Sequence, residues 1–334
     1  MSAPEPGLTV AVTGPTGTFG SGLVPLLQAD PRIARIVGIA RRPFDPQERG
    51  WTKMEYRRGD VREPDALRDA LHDADVVVHL AFLITGNASR EDIRAINVQG
   101  TLNTYRAAAE ASAQRFVYAS SVAAYGFHRD NPIGMDEDWP VRPARRLFYA
   151  QEKAELEELL RTEAATHPDL DLYLLRPSVV LGPNALGGKD LLPERLAPLG
   201  RWLGERIGRP DRWPIRVPAP VPAVRFQFVH EDDVGRALQL CVHADGPPGA
   251  YNIAGDGVVT AVDVARELGV LPIPLPEAPV HGLARAAAML PLPPVAEWVE
   301  AAAHPAIMDT TRAKVELGWA PRYTGIEALR DTLR

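Results

Sequence analysis

The chain is 334 residues long, of ordinary globular composition, with a formal net charge of −6 and a single cysteine, Cys241. That length holds one large α/β domain or two lobes, and an acidic balance without a basic run excludes nucleic acid as a natural partner. No stretch approaches the roughly 18–20 apolar residues of a membrane span, and one cysteine excludes an internal disulfide or a thiolate metal cluster.

Residues 1–7 lack the basic and apolar regions of a signal peptide, which points to a cytoplasmic protein. The first element is an apolar run from Leu8 to Val12, read as a buried strand. Gly14, Gly17 and Gly20 follow at three-residue spacing, and an apolar-periodic helix begins at Phe19. Strand, glycine turn and helix together suit a dinucleotide pyrophosphate. Gly14 allows the tight turn, Gly17 lets backbone approach the phosphates, and Gly20 lets the helix lie close on the sheet. The helix N-terminus offers N–H groups and partial positive charge to the anion. A glycine triplet alone is weak, and a merely structural turn is the competing reading.

A second strand runs from Ile36 to Ala40 and ends in Arg41 and Arg42. Adenosine ribose belongs at that end. A carboxylate there would hold a 2′-hydroxyl, whereas an arginine suits a 2′-phosphate. The pair therefore favours NADP(H) over NAD(H), with two solvated surface arginines as the alternative. After a short third strand, Gly59-Asp60-Val61 places Asp60 either at the adenine or in a turn or cap. A helix over 64–72 leads to a fourth strand, residues 76–81, whose apolar run is broken by His79. His79 is expected to be a satisfied core residue. Leu80, Ala81 and Phe82 should border the cofactor, because ligands lie outside the carboxyl ends of parallel strands.

A long helix is predicted over 91–112, carrying Asn97 opposite the end of the next strand. That strand, Phe116 to Ala119, ends in Ser120-Ser121. A long polar loop, 125–147, precedes Tyr149-Ala150-Gln151-Glu152-Lys153 at the start of a helix over 148–165. Tyr149 and Lys153 share a helix face at i,i+4. Alone, they are no more than a surface pair. With a serine nearby they make an acid/base site. A phenol, which ordinarily titrates near pH ~10, needs help near pH 7, and a nearby ammonium favours the phenolate. A serine hydroxyl would steady the substrate oxygen.

The chain resembles the extended short-chain dehydrogenase/reductases, the NAD-dependent epimerase/dehydratase group. The resemblance rests on Thr-Gly-Pro-Thr-Gly-Thr-Phe-Gly at 13–20, His79-Leu80-Ala81, Asn97-Val98-Gln99-Gly100-Thr101, and Ser120-Ser121 with Tyr125-Gly126. It continues through Tyr149-xxx-Lys153, Arg176-Pro177 with Gly182-Pro183, Phe228-Val229-His230 with Asp233, Tyr251-Asn252 and Leu317-Gly318-Trp319. The resemblance implies a doubly wound Rossmann-type parallel sheet, 1–176 with 223–256, and a smaller C-terminal substrate lobe, 177–222 with 257–334. It makes Tyr149 the acid/base, Ser121 the oxyanion partner, and Lys153 the pKa modifier and ribose anchor. Asn97 would hold a water linking Lys153 to solvent. The implied cofactor contacts are Thr13, Gly14, Thr16, Gly17, Thr18, Phe19, Gly20, Arg41, Arg42, Asp60, Val61, Leu80, Ala81, Lys153 and Pro177. No metal is implied. The helices at 91–112 and 148–165 would form a four-helix homodimer contact.

The chain also departs from the pattern. Two arginines commonly clamp a nucleotide sugar's diphosphate in this group. Phe226 stands at one of those positions with Arg225 one place early, and no arginine lies between Ala286 and Thr311. A diphosphate would lose its strongest bidentate contacts. Leu283, Met289, Leu290, Leu292, Val295 and Trp298 offer an apolar wall instead, or ordinary core packing. Val122 after Ser121, where dehydratases carry an acid, disfavours elimination. The expected activity is NADPH-dependent reduction of a ketone or aldehyde, or the reverse oxidation, on a largely apolar, metabolite- or steroid-like small molecule. A nucleotide-sugar epimerase with an altered clamp and a catalytically idle dinucleotide sensor are the alternatives.

Overall fold

The computed structural model describes residues 7–84, 89–145, 147–185, 218–222, 224–275 and 304–333. The apolar runs form strands because they are covered on both faces. Val10 to Val12 and Val76 to Val78 have no exposed surface. In chain order the sheet uses β1 (Leu8–Thr13), β2 (Ile33–Ala40), β3 (Met54–Arg58), β4 (Val76–His79), β5 (Arg115–Ala119), β6 (Asp171–Pro177) and, later, Gly249–Ile253. The seven lie in the order β3-β2-β1-β4-β5-β6 followed by Gly249–Ile253, all parallel. The order reverses between β1 and β4. The crevice outside their carboxyl ends is where a doubly wound sheet binds its ligand.

Alternation along the strands divides the core in two. Val10 and Val12 face helix α1 (Thr18–Ala29) and helix Glu231–Val242, through Leu23, Leu27, Val234 and Leu238. Ala11, Val77 and Phe116 face the other layer, with α2 (Pro64–Leu71) and the helices that follow β4 and the 125–147 loop. Helix α1 and helix Glu231–Val242 touch backbone to backbone. A Cβ at Gly22 would lie 2.4 Å from the Glu231 carbonyl oxygen, and one at Gly235 would lie 2.3 Å from that of Gly22. Asp30 latches the far ends of the same two helices. It accepts from the Arg32 backbone and guanidinium, from Gln239 and, at 2.8 Å, from His243.

The helix predicted over 91–112 is interrupted. It runs as α3 (Arg90–Arg94), a π-helical turn at Ala95–Gln99, and α4 (Gly100–Glu110). Ser89 caps its start by accepting from the Asp92 N–H. π turns of this kind recur at functional sites, and this one holds Asn97. Helix α5 (Phe148–Thr166) carries Tyr149 and Lys153.

Beyond β6 lie short pairs: β7 (Val179–Leu181) with Phe228–His230, Arg225–Phe226 with Val259–Thr260, and Pro218–Pro222 with Leu271–Leu275. The expected apolar wall at 283–299 lies outside the described residues. Among the described residues no helix is long and apolar enough to cross a membrane, and no cluster of His, Cys, Asp or Glu could hold a metal ion.

Candidate active site

The glycine turn builds a cradle at the end of β1. Gly14 sits at φ +69°, and a Cβ there would meet Ala81 backbone at 3.1 Å. Gly20 is needed against the loop itself rather than the sheet, since its Cβ would fall 2.1 Å from the Pro15 carbonyl oxygen. Gly22 makes a separate close approach, against the neighbouring helix. Gly17 caps α1, with no side chain bonded to the helix end and no acid in the first turn. The helix end therefore retains its attraction for an anion, and the residues fit a pyrophosphate. Thr16 is exposed, while Thr18 and Phe19 are half-buried beside it. Thr13 is turned inward: its hydroxyl accepts from the Leu80 and Ala81 N–H groups and bonds His79 Nδ1 at 2.9 Å. Thr101 takes the other ring nitrogen at 3.0 Å. Burial and the Lys153 charge push His79 down to about 3, so it is a neutral core residue.

At the adenosine end, Arg41 and Arg42 are exposed directly after β2. Asp60 is held below the usual carboxylate range by hydrogen bonds from Arg62, at 3.0 and 2.7 Å, and lies in the field of Arg41. Arg58, which sequence reasoning passed over, is exposed at the end of β3 in register with Ala40. Only the strand pairing, invisible before folding, brings it beside Arg41. Val61 is buried against Gly100, and Pro177 is buried at the end of β6.

Ser121, Tyr149 and Lys153 converge at the carboxyl end of β5. Ser121 caps a short helical turn, accepting from the Ala123 N–H at 3.1 Å, and its side chain hydrogen-bonds Tyr149. Burial pushes the Tyr149 phenol up to about 12 against that bond. The Lys153 ammonium makes its hydrogen bonds elsewhere. Lys153 Nζ donates to the Tyr118 hydroxyl at 3.1 Å and the Ala119 carbonyl at 2.7 Å, and lies 5.8 Å from the Tyr149 ring centre. Phe82 covers it at 3.6 Å, and its ring meets Tyr149 edge-on. Burial lowers Lys153 to about 7, with Glu152 and Glu157 opposing.

Asn97 is held by protein partners. Its Oδ1 accepts from the Leu83 N–H at 2.8 Å, and its Nδ2 donates to the Leu83 carbonyl and, at 2.8 Å, to Glu152. The neighbouring serine has a different task. Ser120 donates to Glu157 at 2.6 Å, and Glu157 receives both forks of the buried Arg176 at 2.9 and 2.6 Å. Burial would raise Glu157, but Arg176 and Ser120 hold it low. Arg176 continues to the Tyr125 hydroxyl, which donates to Asn252 at 2.8 Å. This network ties β5, α5 and β6 together beside Ser121 and Tyr149. Arg225 is exposed on its short strand, and Phe226 stacks on Phe228 at 5.8 Å between centroids.

A family model described as the NAD dependent epimerase/dehydratase family matches residues 10–254. An uncharacterised protein of Mycobacterium tuberculosis is 28% identical over 97% of this chain and 83% of its own length. N-acetyl-alpha-D-glucosaminyl-diphospho-ditrans,octacis-undecaprenol 4-epimerase of Escherichia coli O157:H7 is 30% identical over 56% of this chain and 54% of that protein. 3 beta-hydroxysteroid dehydrogenase type 7 of Homo sapiens is 31% identical over 62% and 59%. The UDP-glucose 4-epimerase of Thermus thermophilus, solved with NAD, superposes with a TM-score of 0.69 over 98% of both chains at 24% identity, a likeness of fold.

Proposed function

The chain belongs to the NAD-dependent epimerase/dehydratase family, and from that premise we propose that it is an NADP(H)-dependent oxidoreductase that reduces a ketone or aldehyde on a largely apolar small molecule, or oxidises the alcohol. The observation that carries this reading is the meeting of Ser121, Tyr149 and Lys153 at the end of β5, beside the glycine cradle. A nicotinamide bound there would supply or take up the hydride. The protein moves the proton. Tyr149 Oη gives its proton to the carbonyl oxygen as charge develops on it, and in oxidation takes one back. Ser121, bonded to Tyr149, holds that oxygen in line and stabilises its charge. Lys153 lies one turn along the same helix face, where an ammonium favours the phenolate left behind. Its Nζ must leave the Tyr118 side of its pocket to approach Tyr149 or a ribose hydroxyl.

Arg41 and Arg42 support NADP(H) over NAD(H): neither has an ion-pair partner among the described residues, and the fork of a guanidinium matches a phosphate. An apolar substrate is supported by Phe226 in place of a clamp arginine and by the similarity to a hydroxysteroid dehydrogenase. The test is a panel of apolar ketones and aldehydes with NADPH, followed at 340 nm, with Tyr149→Phe as the control. Turnover by the wild type that the variant lacks is expected. Turnover that survives in Tyr149→Phe would sink the assignment.

A nucleotide-sugar epimerase is the second reading, favoured by the similarity to the undecaprenol-linked sugar epimerase. It expects NAD to co-purify and a nucleotide or polyprenyl diphospho-sugar to epimerise without net change at 340 nm. An idle dinucleotide sensor would bind coenzyme and turn over nothing in either assay.

A further inference from the structure

Lys153 is a buried cation without an ion pair among the described residues. It is 3% exposed, and its two hydrogen bonds go to a hydroxyl and a carbonyl, both neutral. A buried charge is costly unless another balances it. Helix α5 carries two buried carboxylates that could do so, Glu157 and Glu152. Glu157 is already spent on Arg176, Arg161 and Ser120. Glu152 is not. It is 1% exposed, its Oε2 accepts only from neutral Asn97, and its Oε1 has no hydrogen-bond partner among the described residues. Arg94, whose field reaches it from α3, donates through both terminal guanidinium nitrogens to Glu155. Among the described residues, Lys153 and Glu152, consecutive in the chain, are buried ionisable groups of the site with no opposite charge in contact.

We propose that Glu152 is a positioning residue of this site, balancing the Lys153 ammonium and, through Asn97, tying the Leu83 segment to α5. The proposal rests on the oxidoreductase reading, in which a neutral amine at 153 could not stabilise a phenolate at 149. The groups facing Lys153 are His79 from β4, Tyr118 from β5, and Tyr149, Glu152 and Glu157 from α5. Glu152 is faced by Asn97 from the π turn, Arg94 from α3 and Glu155 from its own helix. Burial raises the Glu152 carboxyl, while Asn97 and the nearby cations oppose. Removing the negative charge favours the neutral amine, so the Lys153 titration must move to lower pH.

The sequence contains four lysines, Lys53, Lys153, Lys189 and Lys314, so protein labelled with ¹³Cε-lysine gives four signals to titrate. Lys153→Met assigns the one at issue. In Glu152→Gln, which keeps an acceptor for Asn97, the Lys153 midpoint is expected to fall by about one pH unit. The alkaline limb of kcat for reduction should move by the same amount, with the NADPH Kd unchanged within about twofold. In Glu152→Asp, which keeps the charge, the midpoint should stay within about 0.3 unit of the wild type. An unmoved Lys153 in the Gln variant, or a fall as large in the Asp variant, overturns the proposal; the Asp variant alone decides it if the Gln variant does not fold. Wild-type protein that reduces no carbonyl compound would sink the oxidoreductase reading and leave the lysine titration standing as a test of the pair. An active enzyme with an unmoved Lys153 would sink only the role of Glu152.

Discussion

Tyr149 and Ser121 carry the most specific expectations at the scale of single residues. Tyr149→Phe should lower kcat by about 10²–10⁴-fold, with NADPH affinity changed by no more than about twofold in a fluorescence titration. Ser121→Ala should cost about 10²-fold in kcat. The adjacent Ser120→Ala should behave differently. It strips a hydrogen bond from the Glu157–Arg176 pair, so its effect should appear as about 1–2 kcal/mol lost in urea unfolding, with kcat changed far less. Equal losses of kcat in the two serine variants would contradict this division. Ser121 stands out in the sequence only through the family resemblance of Ser120-Ser121 with Tyr125-Gly126. Glu152 does not, because it sits in the run Gln151-Glu152-Lys153-Ala154-Glu155, which looks like a solvated helix face. Its burial depends on the loop after β4 folding over α5. The Thr13 hydroxyl likewise gives no sign in the sequence that it accepts from the Leu80 and Ala81 N–H groups at the end of β4.

At the scale of elements, the strands are legible because they are short apolar runs between turn residues, and the crossing of α1 with helix Glu231–Val242 is not. Two glycines with ordinary helical neighbours give no sign that they touch. Gly22→Ala should overpack that contact and cost about 1–3 kcal/mol, measured by chemical unfolding. The π turn is equally hidden, since Ala95-Ile96-Asn97-Val98-Gln99 is unexceptional helix composition. The Asp30 latch adds a pH signature. Burial would raise this carboxyl, but Arg32 and His243 outweigh it and hold it well below its ordinary 3.8. Its folded pKa is depressed, so its contribution is present above about pH 4 and is lost as the pH falls through the folded value. Asp30→Asn should therefore destabilise by about 2–3 kcal/mol at pH 7, with the difference from wild type shrinking steadily from pH 4 to pH 2. A difference constant over that range would contradict the latch.

For the whole molecule, the order of motifs along the chain is enough to expect a doubly wound sheet, because each βα unit must pack its apolar face on the previous one. The substrate side is not legible. The apolar wall expected at 283–299 has no repeating sequence pattern and falls outside the described residues. The helices 91–112 and 148–165 remain proposed as a homodimer contact. Light scattering at micromolar concentration should give about twice 36.4 kDa, and a monomer mass would count against it. The coenzyme end draws on more than one strand, since pairing β2 with β3 sets exposed Arg58 opposite Ala40, the residue before Arg41. The most direct measurement of the central claim is a paired titration of nucleotide-free protein with NADPH and NADH. NADPH should bind at least about tenfold tighter, a preference largely lost in Arg41→Ala with Arg42→Ala. Equal or tighter binding of NADH, or NAD already bound in the purified protein, would contradict it and return the sugar epimerase to the front.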